Sequence, residues 1–324
     1  MNSLLDRQKV YRTLCDQEST IPLFSQAWWL DATAGEGKWD VALVFENGQI
    51  VASMPYVVKK RYGFTIISQP TLTQSLGPWL RPSAAKYSRQ LSLQKSRIQE
   101  LFVQLPRFDH FQQSWHYSLT NWLPVYWMGF QQTTRYTYVI NGLGNLGDVL
   151  SNFCSSYRNK IKKAEKQVTI KCDLSIDDFY AINSLTFSRQ KVKVPYSREF
   201  LRRHDEVLAR VGKRKIFYAE DSEGRIHSAL YLTWDCNSSY VHMVGEDPEL
   251  RNSGAGILLV WEAMKYTSNI LGLQCFDFEG SVMENVEPVR RDCGGVQTPY
   301  FFISKTPSRI LRTALLLRSL KGGR

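Results

Sequence analysis

The 324-residue sequence predicts an α/β (α+β) fold in which one arrangement of strands and helices is built twice. Three observations predict it. Residues 240–281 read as strand, glycine-bearing turn, helix, short turn and strand. Two β-rich hairpins, at 39–54 and 215–232, align on their glycines. Gly48-Gln49-Ile50-Val51-Ala52-Ser53 matches Gly224-Arg225-Ile226-His227-Ser228-Ala229, at an offset of 176 residues. Between them, residues 141–147 hold three glycines, the composition of a linker.

In chain order, residues 24–30 have a helical pattern. Residues 39–45 and 49–54 flank Glu46-Asn47-Gly48, and Asn-Gly between β-rich runs is a strong hairpin signal. Residues 69–79 contain Pro70 and Pro78, which argue against a helix N-terminus built for phosphate. Residues 93–104 read as a helix with Ile98, Leu101 and Phe102 on one face, and 130–140 as a strand. A helix starting at Asp148 is expected to carry the basic run 157–166. Helices at 177–189 and 197–210 follow, separated by the basic, proline-containing loop 191–196. Residues 240–244 form a β-rich run, ended by 245–248. Arg251-Asn252-Ser253-Gly254-Ala255-Gly256 then enters a helix with Ile257, Leu258, Val260, Trp261 and Met264 among its apolar positions. Gly272 closes that helix and 275–278 resume the sheet. Residues 307–318 read as an amphipathic basic helix. The expected division is a first domain 1–140, a linker 141–148, a second domain 149–305 and a basic C-terminal helix 306–324.

With 43% hydrophobic and 13% aromatic residues the chain can bury real cores. No segment reaches the ~20 apolar residues of a membrane span, and the start lacks the apolar run of a signal peptide. The six cysteines form no CxxC pair, which fits a reducing cytoplasm and suggests no zinc. The histidines show no HxxxH or HExxH spacing, and no GxSxG or GxxxxGK[ST] occurs. Metalloenzyme, hydrolase and kinase readings therefore lack their parts. The net charge of +11 is concentrated in 157–171, 189–215 and 306–324, at +5, +7 and +5. Three basic windows in one half point to an anionic partner: cofactor phosphate, RNA, a nucleotide-linked substrate or a lipid head group.

A strand feeding a glycine-rich helix start gathers free N–H groups and the positive end of the helix dipole, which together make an anion site. The spacing Arg251-x-x-Gly254-x-Gly256 resembles the acyl-CoA pyrophosphate loop of the GNAT superfamily. Phe276-Asp277-Phe278-Glu279-Gly280-Ser281, followed by Val289-Arg290-Arg291-Asp292-Cys293-Gly294-Gly295, resembles the matching run of FemAB-type acyltransferases, a tandem-GNAT branch. Val289 and Cys293 stand where that family has aromatics, and Arg290 where it has lysine. The run Arg158-Asn159-Lys160-Ile161-Lys162-Lys163-Ala164 resembles the helix opening that family's second domain.

The resemblance implies two GNAT-like domains, each a mixed, mainly antiparallel sheet flanked by helices, the first degenerate and unable to bind a donor. It implies an N-acyltransferase whose second domain binds acyl-CoA through Val244, Arg251, Asn252, Ser253, Gly254, Ala255 and Gly256. Aminoacyl-tRNA is the alternative donor. The acceptor would be an amine, a small molecule or a cell-envelope precursor, bound between the domains. Arg158, Lys162, Lys193, Tyr196, Asp277, Arg290 and Arg291 are the residues expected to bind it. For proton transfer two side chains stand open. His242 on the first strand titrates near neutrality, and Glu279 ends the second, where partial burial would raise its pKa. His242 also reads as a core imidazole and Glu279 as a turn former. A non-catalytic RNA- or membrane-surface-binding protein is the contrasting expectation. A cytoplasmic location is expected, with weak contact of the C-terminal helix to an anionic membrane face.

Overall fold

The structure, a computed structural model, describes residues 4–280, 284 and 286–322. The chain forms two compact units. One comprises Met1–Arg135 with Pro299–Arg324, the other Tyr136–Thr298. The first unit thus takes in the last strand and helix as well as the N-terminal part, whereas the sequence ranges ended it at the glycine-rich segment.

Its elements begin with α1 (Leu4–Gln17), α2 (Ala27–Thr33), β1 (Asp40–Glu46), β2 (Gln49–Arg61), β3 (Phe64–Ser68), β4 (Trp79–Leu80), α3 (Tyr87–Val103), β5 (His110–Ser114) and α4 (Leu123–Tyr126). The β1–β2 hairpin turns on Asn47 and Gly48, both at positive φ (51° and 78°), as a two-residue turn of this hand requires. β3 pairs with β5 in parallel and the other pairs are antiparallel. Strand β6 (Gln131–Asn141) leads into the second unit.

There follow α5 (Leu146–Ser151), α6 (Ser155–Ala164), β7 (Thr169–Cys172), α7 (Ile176–Arg189), α8 (Arg198–Arg210), β8 (Arg214–Glu220), β9 (Ile226–Trp234), β10 (Ser239–Glu246), α9 (Ala255–Asn269), β11 (Cys275–Asp277) and α10 (Glu287–Asp292). The sheet of this unit runs β6-β11-β10-β9-β8-β7, with β10–β11 parallel and its other pairs antiparallel. This is the mixed, mainly antiparallel sheet expected. β12 (Val296–Lys305) and α11 (Arg309–Gly322) end the chain, and β12 pairs with β5 from Phe302↔Ser114 to Lys305↔Phe111.

Two expectations are corrected. The single helix from Asp148 is two, because Cys154 is extended (φ −59°, ψ 152°) and its N–H donates to Asp292 O at 2.8 Å instead of continuing the helix. Asn145 caps the first piece through its side chain. α11 is basic, but Leu315, Leu316 and Leu317 are consecutive and all exposed, so its apolar residues do not form the single stripe of an amphipathic helix.

The core of the second unit is built on α9. Leu258, Leu259, Ala263 and Met264 are almost wholly buried among Phe217, Leu230, Leu232 and Phe276 from the sheet. Each large apolar side chain so buried contributes roughly 1.5–3 kcal/mol. The start of α9 is therefore fixed against the sheet. No helix among the described residues is long and apolar enough to cross a membrane.

Candidate active site

The site begins with a strand that loses its neighbour. β10 pairs with β11 only at Ser239↔Phe276 and Tyr240↔Asp277. Beyond Asp277 the chain turns away, with Glu279 at φ 54° and Gly280 at φ 55°, so among the described residues the following part of β10 has no strand on that side. On its other side β10 follows β9 except between Val241 and Met243, where the register slips and His242 is the bulged residue. A bulge re-aims a strand and leaves backbone groups outside the ladder. A cavity of about 430 Å³ opens there, reaching from Val241 and Val244 to Ile257 and Val260 of α9.

The loop closing this cavity is held by steric necessity. Arg251–Ser253 form a 3₁₀ turn, and Gly254 follows at φ 84°. A Cβ on Gly254 would lie 2.8 Å from the Lys160 carbonyl oxygen, and one on Gly256 would lie 3.1 Å from Glu246 Oε1. Gly254 is thus required by close approach of backbone and by its left-handed conformation, whereas at Gly256 the Glu246 carboxylate comes close but can shift. Lys163 Nζ donates to Asn252 O at 2.7 Å, tying α6 to the turn. α9 starts at Ala255, whose N–H donates to Ser253 Oγ at 3.3 Å, while those of Ile257 and Leu258 reach Gly254 O at 3.2 Å.

Charge converges on the same place. Glu246 Oε2 lies 3.4 Å from Arg189 Nη1 and 3.5 Å from Arg251 Nε, and Lys160 lines the same cavity. Burial raises the Glu246 pKa, opposed by Arg251, Arg189 and Lys160 in that order. At the far wall Arg290 donates from Nε to Phe278 O at 3.1 Å, and burial lowers its pKa.

Behind the bulge is a buried hydrogen-bonded chain. His242 Nδ1 lies 2.8 Å from Glu279 Oε1, and His242 Nε2 lies 3.1 Å from His204 Nε2 on α8. The His242 side chain is 0% exposed and that of Glu279 11%. Burial drives the imidazole pKa down to about 3 and the carboxyl pKa well up, Arg290 opposing the latter. The neutral form of each group is the favoured one. Asp277, buried beside them, accepts from Thr137 Oγ1 at 2.5 Å and Glu279 N at 2.8 Å; burial still lifts it to about 7.

Of the sequence-selected residues, Val244, Arg251, Asn252, Gly254, Gly256, His242 and Arg290 line the cavity. The His242 ring being buried, its backbone is the part presented there. Ser253 is buried and accepts locally from Ala255 N, and Ala255 lies in the core. Arg158 donates to the Ser151 and Phe153 carbonyls, closing its own helix start away from the cavity. Lys162, Lys193 and Arg291 are exposed and Arg291 is drawn to Asp292 and Glu287. Tyr196 is buried with its hydroxyl donating to Asn183 Oδ1 at 2.8 Å. Ser281 lies outside the described residues. Residues not singled out from sequence are Tyr157, Lys160, Thr186, Arg189, Gln190 and Glu246 on the cavity wall, and His204 behind it. Tyr157 and Lys160 sit within the basic run already noted and Arg189 opens the second basic window; Thr186, Gln190, Glu246 and His204 carry no local signal.

Residues 151–284 match the family model described as an acetyltransferase (GNAT) domain. No curated protein matches the sequence. Among solved structures the chain is similar to FemX, 12% identical over 91% of this chain and 95% of that one, with a TM-score of 0.68. It is also similar to L-PGS from Bacillus licheniformis (9% identity, 98% and 97% covered, TM-score 0.54). A tandem GNAT protein from the clavulanic acid biosynthesis pathway is a third relative in fold (13%, 94% and 96% covered, TM-score 0.53). The chain therefore has the FemAB-type tandem GNAT fold, with the acetyltransferase (GNAT) domain signature in residues 151–284.

Proposed function

We propose that this protein is an N-acyltransferase that takes an acyl group from acyl-CoA in the cavity of its second unit and passes it to an amine. The observation carrying this reading is the pair Gly254 and Gly256, left bare by close approach of Lys160 and Glu246 at the start of α9. Such a cradle, with Arg251, Arg189 and Lys160 around it, suits a diphosphate. The strand opening between β10 and β11 suits an extended arm, whose amides would meet the edge groups of β10 that Asn183 and Thr186 do not already occupy.

The bound thioester supplies an activated acyl carbon. The chain's own residues position it and manage the proton. Backbone N–H groups at the His242 bulge polarise the carbonyl, the oxyanion-type contribution. Glu279, backed by His242 behind the cavity wall, is the base when ionised and receives the amine's proton through water; its raised pKa makes it a stronger base than an exposed carboxylate. Arg290 faces the same end of the cavity and orients an acidic group of the acceptor.

Titration calorimetry with CoA and acetyl-CoA, together with a mass-spectrometric screen of acyl donors for consumption, tests this. Binding that is unchanged in Gly254→Asp and Arg251→Ala would sink the reading. A second reading, aminoacyl-tRNA as donor, is favoured by the exposed cations Lys191, Lys193, Arg203 and Arg210, which follow the cavity-lining Arg189 in the sequence. It requires tRNA binding that falls steeply with salt and competes with CoA.

A further inference from the structure

The cradle that would receive a diphosphate already holds a negative charge. Glu246 Oε1 lies against Gly256, close enough that a Cβ there would stand 3.1 Å away, and Oε2 faces Arg189 and Arg251 at 3.4 and 3.5 Å. Its backbone N–H donates to Thr186 Oγ1 at 3.0 Å, fixing this end of β10 to α7. The carboxylate is thus placed where an anion at the helix start would go, and it partly neutralises three cations. A diphosphate entering with Glu246 still charged would meet like charge across a few ångströms in a half-enclosed site, where screening is weak.

We propose that Glu246 takes up a proton when the diphosphate of the donor enters, so that an internal anion gives way to a hydrogen-bond donor facing phosphate. This rests on the acyl-CoA reading and adds to it a residue that sets how donor affinity depends on pH. The charged and titratable groups around Glu246 are Lys160 from α6, Arg189 from α7 and Arg251 from the turn before α9. On β9, where Glu246 is opposite Ser228, the ring of His227 is occupied with Asp221 at 3.0 Å. Asp247 and Glu249 follow on the loop, linked to each other by the Glu249 N–H to Asp247 Oδ1 bond. The three cations stabilise the carboxylate in the free protein. A diphosphate claims those cations for itself and leaves the protonated form as the better partner. Burial already leans Glu246 the same way.

The test is calorimetric titration of the full chain with CoA in buffers of low and high ionisation enthalpy near about pH 7.5, where linkage of a proton shows as a buffer-dependent heat. Wild type is expected to take up close to one proton per CoA. Glu246→Gln is expected to show much less buffer dependence and to bind roughly tenfold tighter than wild type at about pH 8, the two converging toward about pH 6. Wild-type binding without buffer dependence overturns the inference and leaves the acyl-CoA reading standing; that measurement needs no variant. The same proton uptake in Glu246→Gln as in wild type overturns the assignment to Glu246. CoA binding by neither protein overturns the reading beneath it.

Discussion

Glu279 Oε1 lies 2.8 Å from His242 Nδ1, and the far nitrogen of that ring is 3.1 Å from His204 Nε2. The two contacts are coupled through one imidazole. If Glu279 is protonated it donates to Nδ1, and the Nε2–H of His242 donates to His204. If Glu279 is ionised it accepts from Nδ1–H, and His204 must donate to His242. Ionising one carboxyl therefore reverses both hydrogen bonds, a change confined to the interior behind the cavity.

For catalysis this gives a pH expectation. Glu279 acts as base only when ionised, and its pKa is raised, so the acyl-transfer rate should climb with pH past the range where ordinary carboxylates have already titrated. Glu279→Gln should lower the rate by roughly 10²–10⁴-fold and flatten that climb, with CoA affinity preserved. Rate–pH profiles of the two proteins measure it.

For stability, His242 and Asp277 act in opposite directions. His242 has its folded pKa lowered from 6.5 to about 3, so its contribution is present above the unfolded value and is lost as pH falls toward 3. Asp277 has its pKa raised from 3.8 to about 7, so its contribution is present at low pH and is lost as pH rises toward 7. Between about pH 4 and 6.5 the slopes oppose each other. Relative to wild type, Asp277→Asn should add a slope of stability rising with pH and His242→Gln one that falls, the raised Glu279 acting alike in both. Each slope should approach about 1.4 kcal/mol per pH unit at most, read from urea midpoints.

The two cradle glycines should separate stability from binding. Gly254→Ala places a methyl against a backbone oxygen in a left-handed conformation, and should cost roughly 1–3 kcal/mol or more of stability. Gly256→Ala meets only the end of the Glu246 side chain, which can move, so stability should stay near wild type while CoA affinity falls. Denaturation curves beside calorimetric titrations distinguish the two.

Cation substitutions should divide in the same manner. Arg251→Ala and Arg189→Ala each remove a charged donor from the cavity and should weaken CoA binding about 10–100-fold. Lys162→Ala, Lys193→Ala and Arg291→Ala lie outside it and should change affinity by less than about twofold. A uniform loss across all five would point to a diffuse electrostatic surface instead of a built site.

The strand–loop–helix around Gly254 was legible in the sequence because every part of it is local: a β-rich run, a turn, glycines at fixed spacing and an apolar helix face. The β1–β2 and β8–β9 hairpins were legible for the same reason. Glu246, Arg189 and Lys160 lie on three elements, and nothing in their local sequence announces that they share a cavity. The contact of His204 with His242 joins residues 38 apart and depends on how α8 packs, which periodicity does not reveal. The family resemblance implied an acceptor role for Lys193 and Tyr196 in the loop 191–196, yet Tyr196 turns inward to Asn183, whose amide in turn donates to Val244 O. Burial, not charge, decided its place.

The pairing of β12 with β5 has a further consequence. The first unit is assembled from two pieces of chain with the whole second unit between them. In N-to-C synthesis, the sheet of the first unit waits for its closing strand until the second unit has been made. Shortening the chain from its carboxyl end would therefore damage the amino-terminal unit first, and the second unit, contiguous in sequence, is the one equipped to fold during translation.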